Sequence, residues 1–295
     1  MKVTVYGRGG VSHVLTDYSG AGKHMLLSES LKGFGMPEFE HFSTTHVGVH
    51  GAQWRGWNVK PREIVLPVLV SSTKDDGTRV GFIESVNDFW NVFRPDEDHV
   101  LEVETPGGST RRIDCRLGSV DDSMTMDPVN RGYIVYMVHL TAFDPFWRGG
   151  TESISWFNDD LQDWLGGGPV EGPGTAFPVV ISPGGSGGES RLLNHGDVDA
   201  WPTWTLSGPI SRATVTVNGG VFAISRPIGE GDVLRISTHP KKQEAILNGS
   251  RDWLPYFDEW DFAPIKPGMG ANVIVDFNGE GSVVGSVTPR FLRAW

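Results

Sequence analysis

Cysteine is almost absent from this chain: Cys115 is the only one in 295 residues. No disulfide can form within the chain, which excludes the small secreted scaffolds that depend on them. Positive charge is scarce too, with 25 basic residues against 36 acidic ones and a net charge of −11. Both parts of the chain share the imbalance, with 15 basic against 19 acidic residues through Arg148 and 10 against 17 after it. Nucleic-acid binding draws on a basic footprint that displaces counterions, and the sequence shows none. Long apolar runs are also missing. The longest, Ile64 to Val70, is interrupted by Pro67 and is far too short to span a bilayer. No apolar h-region follows Met1-Lys2-Val3-Thr4-Val5-Tyr6-Gly7. No secretion signal is therefore expected, and the chain should stay soluble in the cytosol or join something assembled there. With 39 glycines and 19 prolines, a coiled coil is excluded, because both residues break helices. An aromatic content of 11%, including 11 tryptophans, excludes a disordered tail.

What remains is a folded, turn-rich chain whose dominant pattern is alternation, the mark of strands. Lys2 to Tyr6 alternates, whereas residues 7–60 hold many Gly and His and no clear helix. Arg62 to Ser71 places Ile64, Leu66, Val68 and Val70 on one face, and Pro67 within it predicts an edge or a bulge. Asp76-Gly77 predicts a turn. Phe82, Val86, Phe89, Trp90 and Phe93 form one helical stripe, predicting a helix over 82–93 that Pro95 stops and that covers a sheet. A three-strand meander follows over His99 to Glu104, Thr110 to Leu117 and Gly132 to Phe143. Arg112, Asp114 and Arg116 alternate with Ile113, Cys115 and Leu117, so Cys115 is expected buried and structural. In the last strand Tyr133, Val135 and Met137 oppose Ile134, Tyr136 and Val138, which predicts a central strand covered on both sides. Residues 149–189 are glycine-rich and predict a linker with strands at Ser153 to Phe157 and Pro178 to Ile181. From Ser190 onward turns recur about every ten residues. Asn218-Gly219 separates Ala213–Val217 from Val221–Ser225. Asn248-Gly249 follows Gln243–Leu247, and Asn278-Gly279-Glu280-Gly281 lies between Asn272–Phe277 and Ser282–Val287. This spacing predicts a β-sandwich or jelly roll.

Several short patterns imitate catalytic motifs and fail on context. Gly7-Arg8-Gly9 follows a strand, but position 12 is Ser and no βαβ unit follows. Gly22-Lys23 has Asp17 where a P-loop needs Gly, and His24 where it needs Ser or Thr. Gly184-Gly185-Ser186-Gly187-Gly188 matches G-x-S-x-G formally but has no helix after it. His46-Val47-Gly48-Val49-His50 lacks the internal Glu of a zinc helix, and its Gly between valines predicts extended chain with surface or interface histidines. Tyr256-Phe257-Asp258-Glu259-Trp260-Asp261-Phe262 mixes aromatic rings with carboxylates, as sugar sites do. Tyr256, Asp258 and Trp260 are the candidate sugar contacts. The preferred reading is a loop docking its rings onto the sandwich. Hydrolysis ranks last, because neighbouring carboxylates on this segment point in different directions. No catalytic constellation emerges, and neither a cofactor nor a metal site is expected.

Three passages together carry a resemblance. Leu140 to Gly149, with Asp144, Pro145, Phe146 and Trp147 at its centre, resembles the aromatic junction of siphophage distal tail proteins. Asn194, Gly196 and Asp197, followed by Trp201 and Pro202 and then Gly208-Pro209, resemble the start of that family's C-terminal domain. Arg62 to Val68, with the helix and meander after it, resembles its N-terminal belt domain in order and spacing. The resemblance implies a mainly β fold: a β-barrel-like belt domain with one covering helix over 1–148, a Gly-rich connection over 149–189, and a galectin-like β-sandwich over 190–295. It further implies a homo-oligomeric, hexameric ring at the virion tail tip. The ring would join the tail tube protein to tail-associated and baseplate proteins, with no turnover. Each motif residue also makes sense as structure, since Asp144-Pro145 ends a strand and Asn194 and Gly196 suit a turn. The runner-up is a carbohydrate-binding, host-adhesion module whose partner is a cell-wall glycan. No segment of domain size is left over for an inserted sugar binder.

Overall fold

The apolar–polar alternation becomes strands throughout. The computed structural model describes residues 1–7, 10–16, 24–26, 30–71, 79–122, 127–157, 179–181 and 188–295. Arg8 and Gly9, Gly22-Lys23, Asp76-Gly77 and most of the Gly184–Gly188 run lie outside the described residues. The described residues divide into two compact units, Met1–Gly149 with Phe291–Trp295, and Gly150–Arg290. The chain thus leaves the first unit once and returns to it for its last five residues.

The first unit holds β1 (Lys2–Tyr6), β2 (Ser12–Thr16), β3 (His24–Leu26), β4 (Phe39–Thr44), β5 (Gln53–Val59), β6 (Arg62–Ser71), helix α1 (Arg79–Trp90), β7 (Asp98–Glu104), β8 (Thr110–Asp121), the one-turn helix α2 (Pro128–Arg131), β9 (Tyr133–Ala142) and β10 (Trp147–Arg148). Its main sheet runs β2-β1-β7-β8-β9-β6-β3, with β10 added on β8, while β4 and β5 pair only with each other. One face is the core. Val3, Val5, Leu101, Val103, Ile113, Ile64, Leu66, Val138 and Leu140 point into it, closed over by Phe82 and Phe89 of α1. Cys115 is part of that core, and burial pushes its thiol pKa up to about 12.

Three expectations change. The helix begins three residues earlier than its stripe and ends at Trp90 rather than Phe93. The residue before a proline is driven out of the α region, and here the Arg94 amide donates to His99 Nε2 at 3.1 Å instead of to a helical carbonyl. Phe93 still reaches the core from the following turn. Pro67 lies neither on an edge strand nor at a bulge: β6 pairs β9 in continuous register along its length. On its other side β3 reaches only Val68 to Val70 and Lys32 bridges Val65, so the proline stands in the gap between them. Finally, β9 is central but has cover on one face only. Ile134, Tyr136, Val138, Leu140 and Ala142 are buried, whereas Tyr133 and Val135 are exposed.

The second unit is a sandwich. Its strands are β11 (Glu152–Phe157), β12 (Val179–Ile181), β13 (Gly188–Leu193), β14 (Thr203–Ser207), β15 (Arg212–Val217), β16 (Gly220–Ile224), β17 (Val233–Ser237), β18 (Glu244–Leu247), β19 (Arg251–Asp252), β20 (Glu259–Trp260), β21 (Gly270–Asn278) and β22 (Ser282–Val287), with a 3₁₀ turn at Leu254–Tyr256; β23 (Arg290–Phe291) closes the order where the chain crosses back. One sheet is β12-β11-β22-β14-β17-β18-β19 and the other is β13-β21-β15-β16-β20. The 149–189 stretch is therefore not only a connector, because β11 and β12 belong to a sandwich sheet. Asn218 and Gly219 both take positive φ, at 50° and 92°, as do Asn248 and Gly249 at 50° and 76°. Two such residues make the tight turn whose twist matches the strands it joins.

Inward residues of both sheets meet in one core around Trp204, whose ring packs 5.9 Å from Trp156 and 5.7 Å from Phe222. Gly285 faces Trp204 across the β14–β22 pair. A Cβ at that position would lie 2.5 Å from Trp204 Cζ3. Gly285→Ala should therefore destabilise the second unit by about 1–3 kcal/mol through overpacking. Urea unfolding followed by tryptophan fluorescence checks this. A change within about 0.5 kcal/mol, the ordinary surface value, would mean that the ring moves aside freely.

Candidate interaction surfaces

The motif residues divide between internal fastenings and surface. In the first unit, Pro145 is buried, Trp147 is fully buried, Phe146 is half-buried and Asp144 is exposed. What organises them is Arg62, the first residue of β6, which is only 2% exposed. Its Nε donates to the Pro145 carbonyl at 2.7 Å, Nη1 to the carbonyls of Gly33 and Gly35 at 2.7 and 2.8 Å, and Nη2 to that of Leu292 at 2.7 Å. No carboxylate is among these partners. Burial lowers the guanidinium pKa to about 10, which leaves it charged at neutral pH, and four carbonyl dipoles converge on the charge. Phe34 extends the fastening: its ring lies 5.6 Å from Trp147 and 6.3 Å from Trp295, and its carbonyl accepts from the Ala294 amide at 2.9 Å. Gly33 must be glycine, with φ at 89° and the Glu63 carbonyl 2.6 Å from where a Cβ would sit. Nothing local in the sequence marks Arg62 as a fastening, because its partners lie up to 230 positions away.

In the second unit Asn194 is the corresponding fastening. It is 1% exposed, and its Nδ2 donates to the carbonyls of Val198 and Ile265 at 2.9 and 2.8 Å. Its Oδ1 accepts from the Gly196 amide at 2.9 Å, and the Asp197 amide donates to the Arg290 carbonyl at 2.8 Å. A Cβ on Gly196 would lie 2.5 Å from that same carbonyl. Pro202 is buried and accepts from Thr238 Oγ1 at 2.6 Å, while Trp201 is half-buried with its ring 6.3 Å from His239. These residues hold a turn and a strand start, while the side chain of Asp197 is exposed.

The Tyr256–Phe262 segment separates by side chain. Phe257 is buried against Phe222, with ring centroids 6.1 Å apart, and Phe262 packs on Phe222 at 5.9 Å. Tyr256 and Trp260 stay exposed, at 39% and 51%. Arg226 stacks on Tyr256, 4.0 Å from its centroid, and Asp258 accepts from Ser225 Oγ at 2.6 Å. Two rings anchor the segment and two remain outside with Asp258 between them in sequence.

One exposed aromatic face among the described residues is not marked by the sequence pattern. It is the β4–β5 hairpin, whose two strands lack a buried residue on either face. Its register shifts between Phe42 and Ser43, leaving Arg55 as the extra residue of a bulge. The bulge brings Trp54 and Trp57, three apart and so normally on opposite faces, to the same face. Phe39, His41, Trp54 and Trp57 then form one row: Phe39 lies 5.3 Å from His41 and 6.2 Å from Trp57, and Trp54 Nε1 donates to His41 Nδ1 at 3.1 Å. His46 to His50 lies in the turn at the tip, not in extended chain, with Gly48 at φ 80°. Among the described residues no group of three or more His, Cys, Asp or Glu side chains is placed to hold a metal ion. None of the described helices is long and apolar enough to cross a membrane.

Compared by sequence, the chain matches no protein-family model and no curated protein. Compared by structure, it is similar over nearly its whole length to solved phage proteins. One is the Dit (gp 19.1) protein of phage SPP1, described as a paradigm of the hub adsorption apparatus in phages infecting Gram-positive bacteria. The match covers 98% of this chain and 99% of that one, at 14% identity and a TM-score of 0.60. Others are chains of the phage P2 baseplate in its activated conformation. With Ca the match has 11% identity and a TM-score of 0.51 over 98% and 97% of the two chains. With Sr it has 11% identity and a TM-score of 0.53 over 97% of each. The chain thus has the fold of phage hub and baseplate proteins.

Replacing Arg62 by Met should cost about 3–5 kcal/mol, because it removes a buried charge and leaves carbonyl oxygens buried without donors. Urea unfolding of the first unit measures this. Limited proteolysis should show the C-terminal residues released together with the loss. A cost below about 1 kcal/mol would mean that water replaces the guanidinium.

Proposed function

We propose that this chain is a structural hub of a bacteriophage tail tip or baseplate. It forms a ring that joins the tail tube protein on one side to tail-associated and host-recognition proteins on the other. The observation that carries the reading is the full-length match of both units to a protein described as a hub of the adsorption apparatus. The internal fastenings at Arg62 and Asn194 support it, since the motif residues are used to hold segments of chain rather than to meet a substrate. The role is structural, without turnover or cofactor, and the place is the virion tail tip after assembly in the host cytoplasm. Hexamers are the expected copy number. Light scattering after size exclusion should give a discrete oligomer of six times 32.3 kDa, and negative stain should show rings. A protein that stays at 32.3 kDa at high concentration, alone and with tail tube protein, overturns the reading.

A second reading rests on the exposed pair Tyr256 and Trp260 beside Asp258. Rings of this kind stack on pyranose faces, and the sandwich would then also bind a cell-wall glycan of the host. On an array of cell-wall polymers, Trp260→Ala should lower binding at least tenfold, about 1.4 kcal/mol. Binding indifferent to that change removes the reading.

A further inference from the structure

Two buried histidines hold the C-terminal end of α1 and the turn that follows it, and they respond to a proton in opposite ways. His13 of β2, 9% exposed, donates Nε2–H to the Asp88 carbonyl at 2.8 Å. A protonated ring keeps that bond, and a cation is favourable beside the last carbonyls of a helix. His99, near the start of β7, has no exposed surface, and its Nε2 accepts the Arg94 amide at 3.1 Å. An amide can only donate, so this ring carries its proton on Nδ1 and is neutral. Nδ1 has no hydrogen-bond partner, the Val92 and Cys115 carbonyls lying near the ring without aligning with it.

The surroundings of His99 offer no compensation for a charge. Phe93 stacks on the ring, with centroids 5.7 Å apart and planes at 28°. Cys115, opposite His99 in the β7–β8 ladder, donates Sγ–H to the His99 carbonyl at 3.7 Å and stays a neutral thiol. Of the charged groups around the turn, Arg94 is paired with Asp96 and Glu97, and Asp98 is paired with Arg116. Burial lowers the His99 pKa, against the weaker pull of the Val92 and Cys115 carbonyls and the Glu97 and Asp98 carboxylates.

We propose that His99 is an acid-sensitive latch on the turn after α1. A protonated imidazole is a donor at both nitrogens, so Nε2–H would face the Arg94 N–H, donor against donor, in a site without exposed surface. The proton is taken up only when the turn over 91–97 leaves the ring. Val92 and Phe93, both core residues, leave with it. The open form binds one proton more than the closed form. The latch is therefore at full strength above about pH 6.5, the ordinary histidine value, and weakens as the pH falls below it. Each pH unit favours the open turn by up to about tenfold, until the closed ring itself protonates. The latch lies within one copy of the first unit and does not depend on the hub reading.

Hydrogen exchange read by mass spectrometry tests this on the full chain at pH 7.0 and 5.5, with rates corrected for the intrinsic effect of pH. Carboxylates ordinarily titrate near pH 4 and contribute little in that interval. Protection of the amides over 91–99 should fall by about five- to eightfold, the share of one histidine proton, while β14 keeps its protection. In His99→Gln the side-chain carbonyl still accepts the Arg94 amide and has no proton to gain, so the fall should be absent. A fall below twofold in the wild-type chain, or one that β14 shares equally, overturns the latch even if the variant does not fold. A fall that persists undiminished in His99→Gln also overturns it, because the proton then belongs to another group.

Discussion

A guanidinium without a carboxylate holds the first unit together. Taking a charge out of water costs several kcal/mol even after relaxation. At Arg62 that cost is offset by four short hydrogen bonds to backbone carbonyls, which keep the ion charged while no second ion has to be buried. The partners come from three stretches far apart in sequence: the Gly33–Gly35 turn, Pro145 at the strand exit, and Leu292. An arginine is suited to this because its five N–H donors form a fixed, spread fork that can serve four acceptors, whereas an ammonium has only three N–H groups on one atom. The consequence reaches the topology. The last five residues belong to the first unit, so the sandwich is an excursion of the chain between Gly149 and Phe291 rather than a tail-end domain.

Asn194 does the same work in the second unit with a neutral group. Its amide satisfies two carbonyls and accepts one amide, leaving its side chain without an unpaired polar atom. Gly33 and Gly196 accompany the two fastenings for one reason: each lets a backbone carbonyl approach to a distance where a Cβ would collide. Of the motif residues that carry the family resemblance, Pro145, Asn194 and Gly196 take part in chain-holding. The shared fold at 14% identity is consistent with that, because such contacts rest on backbone carbonyls more than on the residues that bear them.

Much of the fold was legible from local pattern. Asn218-Gly219 and Asn248-Gly249 marked hairpins because two positive φ values need those residues, and Ser282–Val287 showed its period of two. The buried stripe Phe82, Phe89, Phe93 was legible as well, but its ends were not. Past Trp90 the Val92 amide bonds the Phe89 carbonyl three residues back and the Arg94 amide goes to His99, so the helical ladder is not continued. Arg62 looked like any strand residue, since nothing local reveals four carbonyls arriving from elsewhere. The hairpin was hidden for a different reason. Trp54 and Trp57 share a face only because the bulge at Arg55 shifts the register, which breaks the alternation by which strands are recognised.

The misread strand β9 is the most informative. Its two apolar faces argued for cover on both sides, and the described chain covers one. That argument concerned where apolar residues gain by leaving water, and it is indifferent to which molecule supplies the cover. Tyr133 and Val135 alternate with the core residues because a strand cannot have one face without the other, and a polar choice at those positions would have met no cost in an isolated chain. The same holds for the hairpin, whose aromatic row packs within itself and is no part of its unit's core.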